Sequence, residues 1–549
     1  MSWEKLPGEL RIGIYGHIYR AHRFRRRWKD RYIAVRYASV CREWQFYFEA
    51  LTFNAIFLDQ ARISEFYKIT KRVPRRRDLV KQIHLRVRLP EYDCSVCQKE
   101  EGPDAKERNN LVFTWAIRDL FVILSRWPRR KRKPEYMEGG LTLDIGIHSQ
   151  SDFRHGFRDF RLENDYPICF NYDAVPDSYA GLEVEHKRAI EILEKPYHDP
   201  HHGWVRGRPH RVSFGARLRI TEQLVLRGYI PTVWVITAFS LRRQFHRGIE
   251  VSSLATILKA LPDLCYFIHE PWLNVTTERQ LVFETEYRQL LRHLPIQNKR
   301  LRSIVLFQDH SRLLNPRHMR PMNRAMWPSG DWLGRMLSRS LVETTRQADM
   351  EVVSAGFLID AFEFFHEFRN NIPKQLNDSR VWNSLKRLYL TSDLLNPYCP
   401  SRTRQEVLVR AGRAAALMPN LERFVLWNCG KRFKYILLYF KWHSKFPWRP
   451  QLSLVSPREM HQDLSAKVLA VWQLVPKCAR EPPGVKLCVL PFELPRREEW
   501  LEPRVYTMGL FSREGLQIAH DVTMHEIMAE GVLNTFLEES WLAGDRSVL

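Results

Sequence analysis

Nowhere in the chain do about 20 apolar residues follow one another without a charge, the length a helix needs to cross a bilayer. The nearest approach, Leu111 to Trp127, carries Arg118 and Asp119 at its centre. The opening Met1-Ser2-Trp3-Glu4-Lys5 lacks the basic-then-apolar pattern of a secretory signal. Cysteine is scarce: nine residues, an odd number, are scattered over 549 positions. That excludes a disulfide scaffold and predicts reduced thiols in the cytosol or nucleus. Short catalytic signatures are also missing: no phosphate-binding G-x-x-x-x-G-K loop, no G-x-S-x-G elbow, no H-E-x-x-H helix and no G-x-G-x-x-G fingerprint. The expectation is a non-catalytic protein, off the membrane, with no cofactor and no resident metal.

Acidic residues are outnumbered, 62 against 86 Lys and Arg, for a formal net charge of +24. Such an excess bears on encounter with acidic partners and says nothing about fold. Part of it is bunched, at Arg23 with Arg25-Arg26-Arg27, at Lys71-Arg72 with Arg75-Arg76-Arg77, and at Arg129-Arg130-Lys131-Arg132-Lys133. Like charges packed this densely repel, which predicts exposed loops. The last run, bracketed by Pro128 and Pro134, reads equally as a solvated loop and as a nuclear import strip. With 44% hydrophobic and 12% aromatic residues the chain is nonetheless globular in composition.

The N-terminus supplies the clearest local pattern. Pro7 suits the start of a helix, where its missing N–H has no partner to lose. Leu6, Leu10, Ile14 and Ile18 then recur at four-residue steps and form one apolar stripe. A second helix is predicted from roughly Ile33 to Ala50, with Val40, Cys41, Trp44, Tyr47 and Phe48 on one face. Two helices this short cannot bury both faces against each other, so the hairpin either caps the following domain or offers an apolar ridge to a partner.

The paired segments Leu6-Pro7-x-Glu9-Leu10-x-x-x-Ile14-x-x-x-Ile18 and Ala38-Ser39-Val40-Cys41-Arg42-Glu43-Trp44-Gln45 resemble the F-box, in the form found in a large group of fungal proteins. The resemblance covers about the first tenth of the chain. It departs from the usual pattern in the longer, basic stretch between Ile18 and Val40. It implies that Leu6, Pro7, Leu10, Ile14 and Ile18 face the Skp-type adaptor of a cullin–RING (SCF) ubiquitin ligase, and that Val40, Cys41 and Trp44 complete the contact or its supporting core. The rest of the chain would then capture a protein substrate for ubiquitination.

That remainder carries a recurring unit. Val80-x-x-Ile83-x-Leu85, Leu264-x-x-Phe267, Leu301-x-x-Ile304-x-Leu306, Leu385-x-x-Leu388-x-Leu390 and Leu421-x-x-Phe424-x-Leu426 share one apolar spacing, with Leu264 to Leu301 spanning 37 residues and Leu385 to Leu421 spanning 36. This is a degenerate form of the leucine-rich repeat signature, whose Asn/Cys position is filled by Asp309, Asp393 and Cys429. Helical stripes precede two units: Leu254, Ile257, Leu258 and Leu261 behind Ser252-Ser253 as N-cap, and Val407, Ala411, Ala415 and Met418. Phe113 to Leu124 predicts a further helix, and Leu141 to Ile147 a strand. The expected fold class is α/β: a helical F-box module over 1–55, a divergent leucine-rich-repeat-like solenoid over 56–505 with an irregular insertion near 161–211, and a helical cap over 506–549.

Two groups hold metal-ligand residue types. Cys94-Ser95-Val96-Cys97 has zinc-knuckle spacing, but no second Cys-x-x-Cys follows to close a tetrahedron. Completion would need Cys169 or a histidine from afar, so the pair is expected to be two thiols in a loop. His198, His201, His202 and His210 share no helix face and are expected to be solvated loop histidines. The competing function class is a basic nucleic-acid-binding protein, for which aromatics sit among arginines at Arg126-Trp127 and Arg27-Trp28.

Overall fold

The structure, a computed structural model, describes residues 3–23, 33–129, 140–152, 155, 200–202, 204–205, 208–209, 222–242, 247–274, 276–308, 330–369, 382–430, 433–441, 450–475 and 486–491. The expected cap at 506–549, most of the 161–211 insertion, Asp309, Cys169, His198, His210 and the run 130–133 lie outside these residues.

The chain opens with α1 (Gly8–Arg23), α2 (Ile33–Tyr37) and α3 (Arg42–Thr52). The single helix expected over 33–50 is therefore two. Ser39 and Val40 N–H groups bond back to the Arg36 and Tyr37 carbonyls and close a turn, and Cys41 takes extended backbone as the N-cap of α3. Tyr37 and Trp44 can then both lean on Phe48, with ring centroids 5.1 and 5.5 Å away.

β1 (Ala55–Leu58), α4 (Ile63–Arg72), α5 (Arg75–Leu79), β2 (Gln82–Leu89), α6 (Pro103–Leu124) and β3 (Leu141–Ser149) follow. A two-stranded ribbon, β4 (Trp204–Val205) and β5 (Arg208–Pro209), stands apart from the main sheet. The main sheet resumes with β6 (Ile236–Leu241), α7 (Val251–Lys259), β7 (Tyr266–His269), α8 (Thr277–Gln297), β8 (Ser303–Phe307) and α9 (Gly330–Gln347). It continues through β9 (Val352–Asp360), α10 (Ala361–Phe364), β10 (Arg387–Thr391), α11 (Ser401–Ala415), β11 (Arg423–Gly430), β12 (Phe433–Phe440), β13 (Gln451–Ser456), α12 (Ala466–Trp472) and β14 (Lys486–Pro491).

Among the described residues the strands of the main sheet form one 12-stranded open sheet in chain order, with β1 and β14 at its edges. Every pairing is parallel except the two made by β12. The architecture is thus mixed α/β and not a closed barrel. Parallel neighbours need a crossover, and for most pairs the described helices between them supply it and pack on one face.

The register explains the recurring unit. Ile83, Leu143, Phe239, Phe267, Ile304, Val353, Leu388 and Phe424 are aligned strand to strand, forming one buried row across eight strands. Two residues on, a second row runs Leu85, Ile145, Leu241, His269, Leu306, Ala355, Leu390 and Leu426. Strand period two puts both rows on the same face, where they join one core with Phe113 and Ile117 of α6, Leu254 and Leu258 of α7, and Leu408 and Ala411 of α11. The first apolar residue of each unit (Val80, Leu264, Leu301, Leu385, Leu421) is buried just ahead of its strand. One cap differs from expectation: α7 begins at Val251, so Ser252 and Ser253 lie in its first turn, where Ser253 Oγ accepts the Leu226 N–H at 2.9 Å.

Candidate functional sites

The three N-terminal helices close around Tyr15 and Phe48, both fully buried, with Trp3, Ile18, Tyr37, Trp44 and Tyr47 packed about them. Tyr15 meets Trp44 edge-on at 5.1 Å and Tyr47 at 5.0 Å. Arg11 of α1 reaches Glu43 of α3 at 2.9 Å and pins the two helices. Because Tyr15 turns inward, the residues on the far side of α1 turn out. Leu10 is 56% exposed, Ile14 38% and Val40 60%, with Pro7 and Cys41 exposed beside them. Leu6, Ile18 and Trp44 are half-buried, the last two as part of the aromatic cluster. The residues singled out by sequence therefore divide into an outward ridge and an inward support. Ile12 and Val35, also exposed, were not signalled by the four-residue stripe.

The hook formed by α1, α2 and α3 is joined to the sheet through a carboxylate. Glu49 of α3 is buried and accepts Arg76 Nη2 at 2.6 Å, Arg76 Nε at 3.1 Å and Gln45 Nε2 at 3.0 Å. Burial alone would raise its pKa; the bonds from Arg76 and Gln45, with Arg75 nearby, hold it below the usual carboxylate range. Arg75 donates to the Phe46 carbonyl at 2.9 Å and lies 3.7 Å over the Phe46 ring. The basic run Arg75-Arg76-Arg77 is consequently not a solvated loop. It forms the helix α5, its charge offset by an acid that lies far upstream in sequence. Likewise Arg129, the first residue of the 129–133 run, pairs with buried Asp263 at 2.6 Å.

On the face of β2 and β3 opposite the main core, Asp144 is fully buried among His84 Nδ1 at 3.0 Å, Arg86 Nη1 at 3.2 Å and Arg242 Nε at 3.3 Å. Burial would raise its pKa, but Arg242, His84 and Arg86 together hold it well below the ordinary range. This enclosed charge cluster ties β2 and β3 to the end of β6.

The second assembly lies beyond the C-terminal ends of β2 and β3. Asp93 Oδ1 accepts the Ser95 N–H at 2.9 Å and starts a tight turn that carries Cys94, exposed, and Cys97, buried. His155 follows β3, and its Nδ1 lies 2.9 Å from the Ser151 carbonyl while Tyr92 stacks on its ring at 5.1 Å. His202 ends the short helical turn Pro200–His202, which Gln98 holds by donating to the His201 carbonyl. Cys94 Sγ is 3.3 Å from His155 Nε2 and 3.6 Å from His202 Nε2. The two cysteines are free thiols in a turn, as expected, but His202 of the histidine group, and His155, which the sequence pattern did not single out, lie beside Cys94 Sγ.

Residues 293–499 match a family of unknown function (DUF6546), a segment that begins inside α8 and ends beyond β14. The match lies outside both the hook and the cysteine–histidine assembly. No curated protein matches the chain. Among the described residues, no helix is long and apolar enough to cross a membrane.

Proposed function

We propose that the chain is an F-box substrate receptor: the hook grips the Skp-type adaptor of an SCF-type cullin–RING ubiquitin ligase, and the sheet, a divergent leucine-rich-repeat-like solenoid, holds a protein substrate. The observation that carries this reading is the exposure of the apolar side chains Leu10, Ile14 and Val40 while Tyr15 and Phe48 hold the helices together from inside. Exposed apolar side chains on a packed helical support are what a partner groove requires. The strand order, running in sequence with parallel register, supports the solenoid reading. In this role the chain needs no catalytic residues, because it raises the substrate's effective concentration beside an enzyme carried by other subunits. It would work in the cytosol or nucleus, where such ligases act. The nucleic-acid reading is weaker, because Arg75, Arg76 and Arg129 of the basic runs are engaged in internal contacts.

The test is binding of the full-length chain to purified Skp-type adaptor, comparing wild type with Leu10→Asp/Val40→Asp. Fully burying such a side chain is worth about 1.5–3 kcal/mol, and each is roughly half buried already, so the pair supplies about 2–3 kcal/mol on docking. The double variant should bind at least ~30-fold more weakly with an unchanged melting temperature. Equal affinity for the two proteins would remove the proposal.

A further inference from the structure

Four side chains of zinc-ligand type, drawn from three stretches far apart in sequence, converge at one end of β2 and β3. The Sγ atoms of Cys94 and Cys97 and a ring nitrogen of each of His155 and His202 all lie within 4.8 Å of one another. We propose that these four residues bind one zinc ion in a closed, structural site. The inference is independent of the hook and of any role in a ligase.

The spacing agrees with a tetrahedron. Zinc–sulfur bonds of about 2.3 Å and zinc–nitrogen bonds of about 2.0–2.1 Å at tetrahedral angles separate sulfur from nitrogen by about 3.6 Å. The two separations from Cys94 Sγ are 3.3 and 3.6 Å, and all pairs of ligand atoms fall within 4.8 Å. His155 Nδ1 lies against the Ser151 carbonyl at 2.9 Å, which requires Nδ1 to carry the proton and turns a lone pair at Nε2 toward the sulfur. That backbone bond on the remote nitrogen is the outer-shell contact that orients metal-binding histidines.

The donor set selects the metal class. Two thiolates and two imidazoles form a borderline-soft tetrahedral site suited to zinc, and no carboxylate in the cluster favours calcium, magnesium or manganese. Two thiolates neutralise the dication, so its uptake leaves no net charge to solvate. Since all four positions are taken by protein, none is left for water or substrate, and the site is a brace and not a Lewis-acid centre. It would join the turn after β2, the exit of β3 and the turn ahead of β4. Cross-linking residues this far apart in sequence is where most entropy is removed from the unfolded chain.

The experiment uses full-length chain purified under reductant from zinc-supplemented culture. Elemental analysis should find about one zinc per chain, reduced to background in Cys97→Ser and in His202→Asn. Cobalt exchanged into the wild type should show the intense visible bands of a tetrahedral ion with thiolate-to-cobalt charge transfer. Stripping by chelator should lower the melting temperature, with recovery on adding zinc but not magnesium. Zinc-free wild-type protein, or zinc content unchanged in both variants, would overturn the site. If the variants do not fold, the wild-type cobalt spectrum decides alone: weak octahedral bands without charge transfer would overturn it equally.

Discussion

Replacing Glu49 with alanine should loosen the hook without melting the sheet. The carboxylate accepts three hydrogen bonds, two from Arg76 and one from Gln45, in a joint where its own side chain is 7% exposed. Removing one partner of a fully buried pair costs about 3–5 kcal/mol, because the other charge is stranded. Arg76 keeps 20% exposure and can recover some hydration, which brings the expected loss to about 2 kcal/mol. Local opening of α1 to α3 should then be ~30-fold more frequent. Hydrogen exchange followed by mass spectrometry reads this directly, since amides of α3 should exchange faster by that factor while those of β7, β8 and β10 do not change. The sign with pH follows from the lowered pKa of Glu49. A depressed carboxylate stabilises the fold above its unfolded value of about 4.3, and that contribution is lost as pH falls through the lower folded value, so wild type and variant should converge in acid. Unchanged exchange in α3, or equal acceleration in hook and sheet, would refute the idea that this ion pair is what fastens one to the other.

Two further outcomes test the sheet and its cover. His269 interrupts an otherwise apolar row, touching Tyr287 Oη at 3.0 Å, and burial pushes its pKa down to about 3. It is neutral in the fold and titrates near 6.5 when unfolded, so its contribution is intact above about pH 6.5 and fades as pH falls toward the folded value; by about pH 5.5 the loss is about 1.4 kcal/mol. The double variant His269→Leu/Tyr287→Phe should flatten the fall in urea midpoint between neutral and mildly acidic buffer; an unaltered slope would show that other groups set it. Gly412 lets α11 meet α12, since a Cβ there would stand 2.9 Å from Val471 Cγ1 and 3.1 Å from Trp472 Cδ1. Gly412→Val should therefore cost about 1–3 kcal/mol in chemical denaturation, and a neutral result would mean that the two helices are farther apart.

The sheet was legible because its pattern is a statement about one face. In Leu301-x-x-Ile304-x-Leu306 the last two apolar residues alternate in a strand, and the first lies where the chain enters it, so the triplet reports burial without any need to know the neighbour. β9, Val352–Asp360, escaped this reading because its unit, Met350-x-x-Val353-x-Ala355, carries Met at the entry position and the small Ala where most others end in leucine. β12 escaped for another reason: it runs antiparallel between β11 and β13, as a return strand outside the strand-then-helix rhythm. The break between α2 and α3 was hidden because no Pro or Gly announces it. What bends the chain is the tertiary requirement that Tyr37 and Trp44 both reach Phe48.

Charge and metal-ligand patterns fail in the opposite way, since each needs a partner that local sequence does not contain. Arg75, Arg76 and Arg77 repel one another on paper, and only the fold supplies Glu49, 27 residues before Arg76. The Cys94–Cys97 spacing could be read, but the histidines lie 61 and 108 residues beyond Cys94. Parallel pairing is what makes the first of these predictable in hindsight. With Arg88 opposite His148 and Leu89 opposite Ser149, the two strands end level and at the same edge of the sheet. Short extensions past each, to Cys94 on one and His155 on the other, must emerge side by side. A Cys-x-x-Cys placed just after one strand of a parallel sheet therefore directs the search for its missing ligands to the residues just after the adjacent strand, however distant these are along the chain.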